Sequence, residues 1–294
     1  MKFIHFSVNK QKFTGVCDEN NKLVQALDIS GIELRDGVLA IVELLAQGKQ
    51  LPLVTAQKFN YDEIEVLAPI PLPIRNIFCV GKNYLDHVKE VAASGLGSAA
   101  NSNSAAAPEF PIIFSKVPEA VIATKQPIQR HRKVTNSLDY EAELAVIIGK
   151  GGRDITAEDA MDHVFGYTII NDVSARDLQK RHQQWLIAKS LDSFALMGPV
   201  IVTKDEIDVK NTSIKCWVND EVRQDGNTNQ FIFDIPKIIA TISAGITLYP
   251  GDIIATGTPS GVGMGFTPPK FLDTADVVRI EIAGIGELIN VVMD

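Results

Sequence analysis

Cysteine is scarce. It occurs three times in 294 residues, at Cys17, Cys79 and Cys216. An odd number, widely spaced and without a C-x-x-C pair, argues against a disulfide framework and a thiolate zinc site, and fits a reducing compartment. Positive charge is also in deficit. With 28 Lys and Arg against 36 Asp and Glu the net charge is −8, so binding to a phosphate backbone is not expected. The basic cluster Arg130-His131-Arg132-Lys133 has no aromatic platform beside it and reads as a solvated loop. No apolar run approaches the roughly 20 residues of a membrane span. The segment from Met1 to Phe6 reaches polar residues at once and offers no secretory apolar stretch. The expectation is a cytoplasmic protein with neither a membrane nor a nucleic-acid partner.

Apolar material is ample. Hydrophobic residues make up 46% and charged residues 22% of the chain, ordinary globular usage. The length allows one large domain, or a large domain with a small companion. Short strand-like runs at residues 2–8, 12–17 and 22–27 are split by turn signals at Asn9-Lys10 and Asn20-Asn21. A helix follows in which Val38, Leu39, Val42 and Leu45 form a stripe, with Asp36 as its cap and Gly48 as its stop. The run Pro69-Ile70-Pro71-Leu72-Pro73 is a stiff connector. It places a boundary between a small β-rich domain, residues 1–70, and a catalytic domain, residues 71–294. Beyond it come a strand at 76–80, a short helix at 84–91 and further strands at 111–115, 144–148, 167–170, 200–202, 214–218, 252–255, 277–282 and 287–292. Thr156, with Asp159 three residues on, predicts one helix start and Asp234 another. The Ala/Ser/Asn/Gly-rich residues 92–107 have little to bury and read as mobile, as a lid or an insertion. Many strands interrupted by few helices predict a mixed α/β fold that is mostly antiparallel β.

Four signals carry chemistry. In Asp139-Tyr140-Glu141-Ala142-Glu143, residues two apart on a strand share a face, so Glu141 and Glu143 stand side by side. Asp172 closes another strand. The three are either a solvated face or an all-oxygen site for Mg²⁺, Mn²⁺ or Ca²⁺. His87 and Glu90, three apart on a helix, are either exposed charges or a base and its orienting carboxylate. Lys189, in an apolar context, either snorkels to water or neutralises an anion such as an enolate. The segment Thr256-Gly257-Thr258-Pro259-Ser260-Gly261-Val262-Gly263 can turn backbone N–H groups toward an anionic ligand. Its spacing is not that of a dinucleotide loop, and Phe266-Thr267-Pro268-Pro269 rules out an ordinary helix after it.

Taken in order, these segments resemble one family. Val80-Gly81-Lys82-Asn83-Tyr84 with His87 and Glu90, then Phe114-Ser115-Lys116, Leu138–Glu143, Asn171–Gln179, Ala188-Lys189-Ser190, Met197-Gly198-Pro199 and Thr256–Gly263 are similar to the fumarylacetoacetate hydrolase family. The likeness is greatest to bacterial oxaloacetate-decarboxylase-like and acylpyruvate-hydrolase-like members. The resemblance implies a β-roll-like fold behind a small N-terminal domain, a homodimer, and Mg²⁺ or Mn²⁺ held by Glu141, Glu143 and Asp172. It implies His87 and Glu90 as the lid dyad, Lys189 as the active-site lysine, and Lys82, Tyr84, Arg176, Gln179 and Thr258 as substrate contacts.

The implied activity is metal-dependent cleavage of a C–C bond next to the carbonyl of a small 2-oxo acid, by decarboxylation or hydrolysis. An isomerase or hydratase acting on a hydroxymuconate-like dicarboxylate, and a non-catalytic metal-binding scaffold, are the alternatives. Glu119 departs from the family pattern; facing the site, it would disfavour a second substrate carboxylate.

Overall fold

The computed structural model describes residues 1–18, 22–29, 36–95 and 105–294. The turn at Asn20-Asn21 and most of the lid expected at 92–107 lie outside the described residues.

The chain begins with β1 (Lys2–Val8), β2 (Gln11–Asp18) and β3 (Leu23–Leu27), then helix α1 (Leu39–Ala46), β4 (Val54–Asn60) and β5 (Glu65–Leu67). Asp36 does not cap α1. The N-cap is Val38, without a side-chain hydrogen bond, because Lys12 of β2 holds the Asp36 carboxylate at 2.7 Å. Gly48 follows the helix with φ 71°, a left-handed turn suited to glycine.

β6 (Ile77–Gly81) leads into α2 (Leu85–Ser94), β7 (Ile112–Lys116), β8 (Val121–Ile122), β9 (Ile128–Gln129), β10 (Leu138–Asp139), β11 (Ala142–Ile148), β12 (Val164–Asp172) and β13 (Ser174–Ala175). Helices α3 (Arg176–His182) and α4 (Leu186–Lys189) precede β14 (Ala195–Thr203), β15 (Ser213–Val218) and β16 (Glu221–Asn227). Last come α5 (Ile235–Ser243), β17 (Ile253–Ala255), β18 (Val277–Ile282) and β19 (Gly286–Met293). Asp234 caps α5, accepting from the Lys237 N–H. The Asp159 N–H donates to the Thr156 hydroxyl as expected of a cap, while the Asp159 carboxylate accepts from that hydroxyl rather than from the Thr156 N–H, and only a short 3₁₀ turn, Ala160–His163, follows.

Twelve strands form one sheet with the core order β4-β3-β2-β1-β14-β12-β11-β17-β6-β7, and β16-β15-β18-β19-β9 form a second. Most pairings are antiparallel. The N-terminal strands continue the large sheet, because β1 pairs with β14 through Lys2↔Val202 and Phe3↔Ile201. β11 is buried along its whole length. Leu144, Val146 and Ile148 enter one apolar cluster, while Ala145 and Ile147 enter another, with Leu39, Ile41 and Val42 of α1. By strand alternation Glu143 lies on the α1-facing side of the sheet. Asp172 shares that side with Ile170.

Candidate active site

The site is a set of carboxylates at the end of this buried layer. β11 pairs with β12 in the register Ala142↔Asn171 and Glu143↔Ile170. The Asp172 N–H donates to the Glu141 carbonyl at 2.9 Å, which draws the third carboxylate across the strand end. Asn171 Oδ1 accepts from the Glu141 N–H at 3.0 Å. One carboxylate oxygen from each of Glu141, Glu143 and Asp172 lies within 4.8 Å of the others, and all three residues are buried.

Three buried cations face this set. Lys189, the last residue of α4, places Nζ 2.6 Å from Glu141 Oε2 and 2.9 Å from Asp172 Oδ2. It neither snorkels nor waits for a distant anion. Lys116 of β7 donates to Asp172 Oδ1 at 2.6 Å and to the Val173 carbonyl at 3.1 Å. Arg176, the first residue of α3, donates from Nε to Asp139 Oδ2 at 2.8 Å. Its second terminal nitrogen forms an ion pair with Glu141 Oε1 at 2.7 Å.

The carboxylates respond differently. Burial alone would raise the Glu141 pKa, but Lys189, Arg176 and His87 outweigh it and hold the group well below its usual range. Glu143 is pushed well above its usual range by burial and by the charges of Asp172 and Glu141, against the 2.8 Å hydrogen bond from the Gly257 N–H. For Lys189, burial is outweighed by Asp172 and Glu141, so its pKa is raised. For Lys116 burial prevails and its pKa is lowered.

This pattern suits a divalent cation. The three cations pair with Asp172 and Glu141, while Glu143 has no ion-pair partner among the described residues and is raised by burial and its two carboxylate neighbours; hard oxygen donors are what Mg²⁺, Mn²⁺ and Ca²⁺ prefer. A second observation agrees. The Tyr84 hydroxyl is buried with no hydrogen-bond partner among the described residues, and burial together with the Glu143 charge pushes its pKa well up. It remains a neutral donor for a ligand beside Glu143.

The dyad lies on α2. His87 Nδ1 is 3.0 Å from Glu90 Oε2, and the imidazole is nearly fully buried. Nδ1 faces the Glu90 carboxylate, so Nε2 is the ring nitrogen left for other partners. Lys82, in a left-handed conformation with φ 57°, has no carboxylate partner among the described residues, and burial lowers its pKa.

Two other expected contacts also have partners within the chain. Gln179 accepts from Arg176 at 3.2 Å. The Thr258 hydroxyl donates to the Ala142 carbonyl at 2.9 Å and accepts from Gln224 at 2.7 Å. Glu119 is exposed, unlike the buried carboxylates of the cluster. The glycine-rich segment does turn its N–H groups toward anions, but these are the protein's own: Gly257 serves Glu143, Gly261 serves Glu90, and Gly263 and Met264 serve Asp139. Sequence reasoning missed the structural weight of Asp139 and Lys116, which it read only as parts of longer motifs. Asn83 was missed in the same way. Its buried side chain bonds Phe233 and Thr256 and ties β6 to the segment after β17.

A mostly-β enzyme fold with a buried acidic triad, two lysines and a His–Glu dyad defines the class of this protein. The family model described as fumarylacetoacetate (FAA) hydrolase C-terminal matches residues 76–293. The chain is 43% identical to oxaloacetate tautomerase YisK of Bacillus subtilis over 99% of both chains. It is 43% identical to the human mitochondrial oxaloacetate tautomerase FAHD2A over 84% of this chain and 74% of that one. The solved structure of a fumarylacetoacetate hydrolase from Exiguobacterium antarcticum superposes with TM-score 0.83 at 42% identity, covering 99% of each chain. The chain belongs to the fumarylacetoacetate hydrolase family. Among the described residues, no helix is long and apolar enough to cross a membrane.

Proposed function

We propose that this enzyme interconverts the oxo and enol forms of oxaloacetate, with Mg²⁺ or Mn²⁺ as cofactor. The observation that carries the reading is the buried His87–Glu90 pair, which lies within electrostatic reach of Glu141 in the carboxylate cluster. The near-identical coverage of a tautomerase relative supports it. A cation held by Glu141, Glu143 and Asp172 would supply Lewis acidity to the 2-oxo group.

Tautomerisation needs no water. A base removes a proton from the carbon next to the carbonyl, the C–H electron pair becomes the C=C bond, and the carbonyl oxygen takes the negative charge and then a proton. His87 Nε2 is the base, and Glu90 stabilises the imidazolium that results. Lys189 brings a fixed positive charge to the carboxylate cluster and offsets the enolate charge as it develops. The neutral Tyr84 hydroxyl supplies a hydrogen bond to the ligand.

C–C bond cleavage is the second reading, supported by the likeness to a hydrolase structure. Decarboxylation puts the same negative charge on the carbonyl oxygen by another route: the bond to the distal carboxylate breaks, CO₂ leaves, and the resulting enolate of pyruvate takes a proton on carbon; hydrolysis uses the same dyad to activate water. The two readings separate in one assay. Enol loss is followed by ultraviolet absorbance while pyruvate is measured by coupled reduction, with Mn²⁺ and with EDTA, and Glu143→Gln serves as the control for catalysis by free metal. Metal-dependent enol loss without matching pyruvate supports the tautomerase; equal rates of enol loss and pyruvate formation would replace it with the decarboxylase.

A further inference from the structure

The dyad is held from outside its own helix. Glu90 Oε2 meets His87, and Glu90 Oε1 accepts from the Gly261 N–H at 2.9 Å. Its carboxylate therefore bridges the imidazole and the loop that follows β17. Gly265 of that loop lies against it. A methyl group built there would fall 2.0 Å from Glu90 Oε1 and 2.3 Å from its carboxyl carbon, far inside contact distance.

The helix cannot retreat without cost. Val91 packs in a small apolar cluster with Val262 and Met264 of the same loop. The loop cannot easily retreat either, because Asp139 grips Gly263 N at 2.7 Å and Met264 N at 3.0 Å. Asp139 also receives Arg176 Nε, and Arg176 pairs with Glu141. A continuous chain of polar contacts thus runs from the metal-ligand cluster through Arg176, Asp139 and the glycine loop to Glu90.

We propose that Gly265 is a positioning residue: the absence of a side chain there lets the loop seat Glu90 against His87, in register with the carboxylate cluster. Steric demand falls on the Glu90 side chain rather than on backbone, since its carboxylate and its Cγ, also 2.3 Å away, are the nearest atoms and must move together. The inference rests on His87 and Glu90 acting as the proton-transfer pair, so its test includes a measurement that does not depend on turnover.

The test is Gly265→Ala, alone and combined with Glu90→Ala. Misplacing an oriented base costs about a hundredfold in rate, so Gly265→Ala is expected to lower kcat by about that factor with KM and Mn²⁺ affinity little changed. In the Glu90→Ala background the same substitution is expected to cost almost nothing further, because coupled residues are not additive. Nuclear magnetic resonance of the His87 ring, assigned by its loss in His87→Gln, is expected to move in Gly265→Ala toward its position in Glu90→Ala. That reading stands whether or not oxaloacetate is the substrate. Equal rate losses in both backgrounds, an unmoved His87 resonance, or a Gly265→Ala protein that does not fold would each overturn the proposal.

Discussion

Two groups of ion pairs in this protein use the same residue types in opposite surroundings. In the site, Lys116, Lys189 and Arg176 meet Asp172 and Glu141 with side-chain exposures of 6% or less. Near the C-terminus, Arg132 meets Asp273 and Asp294 at 2.7 and 2.6 Å with exposures between 49% and 63%. The distances are alike, so distance does not distinguish them. Desolvation does. Exposed pairs are screened by water and salt and contribute little. Buried charges are costly to assemble, and an apolar replacement would often be at least as stable. Charges kept under such conditions are explained by what they bind and orient.

This contrast can be broken or sharpened by substitution. The largest effect is expected for Glu143→Gln, which removes a ligand charge from the acidic set. Mn²⁺ binding measured by titration calorimetry should vanish, and turnover should fall to the uncatalysed background. Retained binding with full activity would place the metal elsewhere. His87→Ala is expected to lower kcat by about 10²- to 10⁴-fold, the usual contribution of a positioned acid–base group, while Mn²⁺ still binds. A parallel loss of metal affinity would mean that the imidazole belongs to the ligand set instead.

Lys116→Met should leave Asp172 with Lys189 as its remaining close cation. Removing one partner of a buried pair costs about 3–5 kcal/mol, and the surviving Lys189 contact places this variant near the lower end. Urea unfolding monitored by circular dichroism checks the figure, and a loss close to zero would show that the pair contributes nothing beyond an apolar contact. The smallest effect is expected for Arg132→Ala. Its midpoint of thermal unfolding should match the parent at moderate salt, and turnover should be unchanged; a clear loss in either would erase the contrast between the two regions.

Much of the fold was legible because its strands alternate or are continuously apolar. Residues 2–8 and 277–282 fall where hydrophobic patterning puts them. β16 escaped notice because Glu221–Asn227 is polar almost throughout, and it is a strand only because β15 lies beside it. The cap expected at Asp36 failed for a related reason: Lys12 reaches its carboxylate from another strand. Thr156 and Asp159 made their local hydrogen bonds without a helix, so local capping chemistry alone does not propagate one.

In the site, Glu141 and Glu143 were legible from their spacing and Asp172 from its place at a strand end. Lys189 was half legible: its apolar neighbours implied burial but not its partners. Lys116 was opaque, since its carboxylate lies 56 residues onward and nothing near it in sequence marks a fully buried lysine. The glycine-rich segment was read as a set of backbone donors for an anionic ligand. That its N–H groups meet Glu143, Glu90 and Asp139 of the same chain could be seen only after folding.

The central claim is that the acidic triad holds a cation required for enolate chemistry on oxaloacetate. It is tested most directly by stripping the protein with EDTA, restoring Mn²⁺, and comparing enol consumption in parent and Glu143→Gln protein at equal free metal. Activity lost on stripping, regained on restoration and absent from Glu143→Gln throughout is the expected result. Metal-independent turnover, or equal turnover by the two proteins, would contradict it.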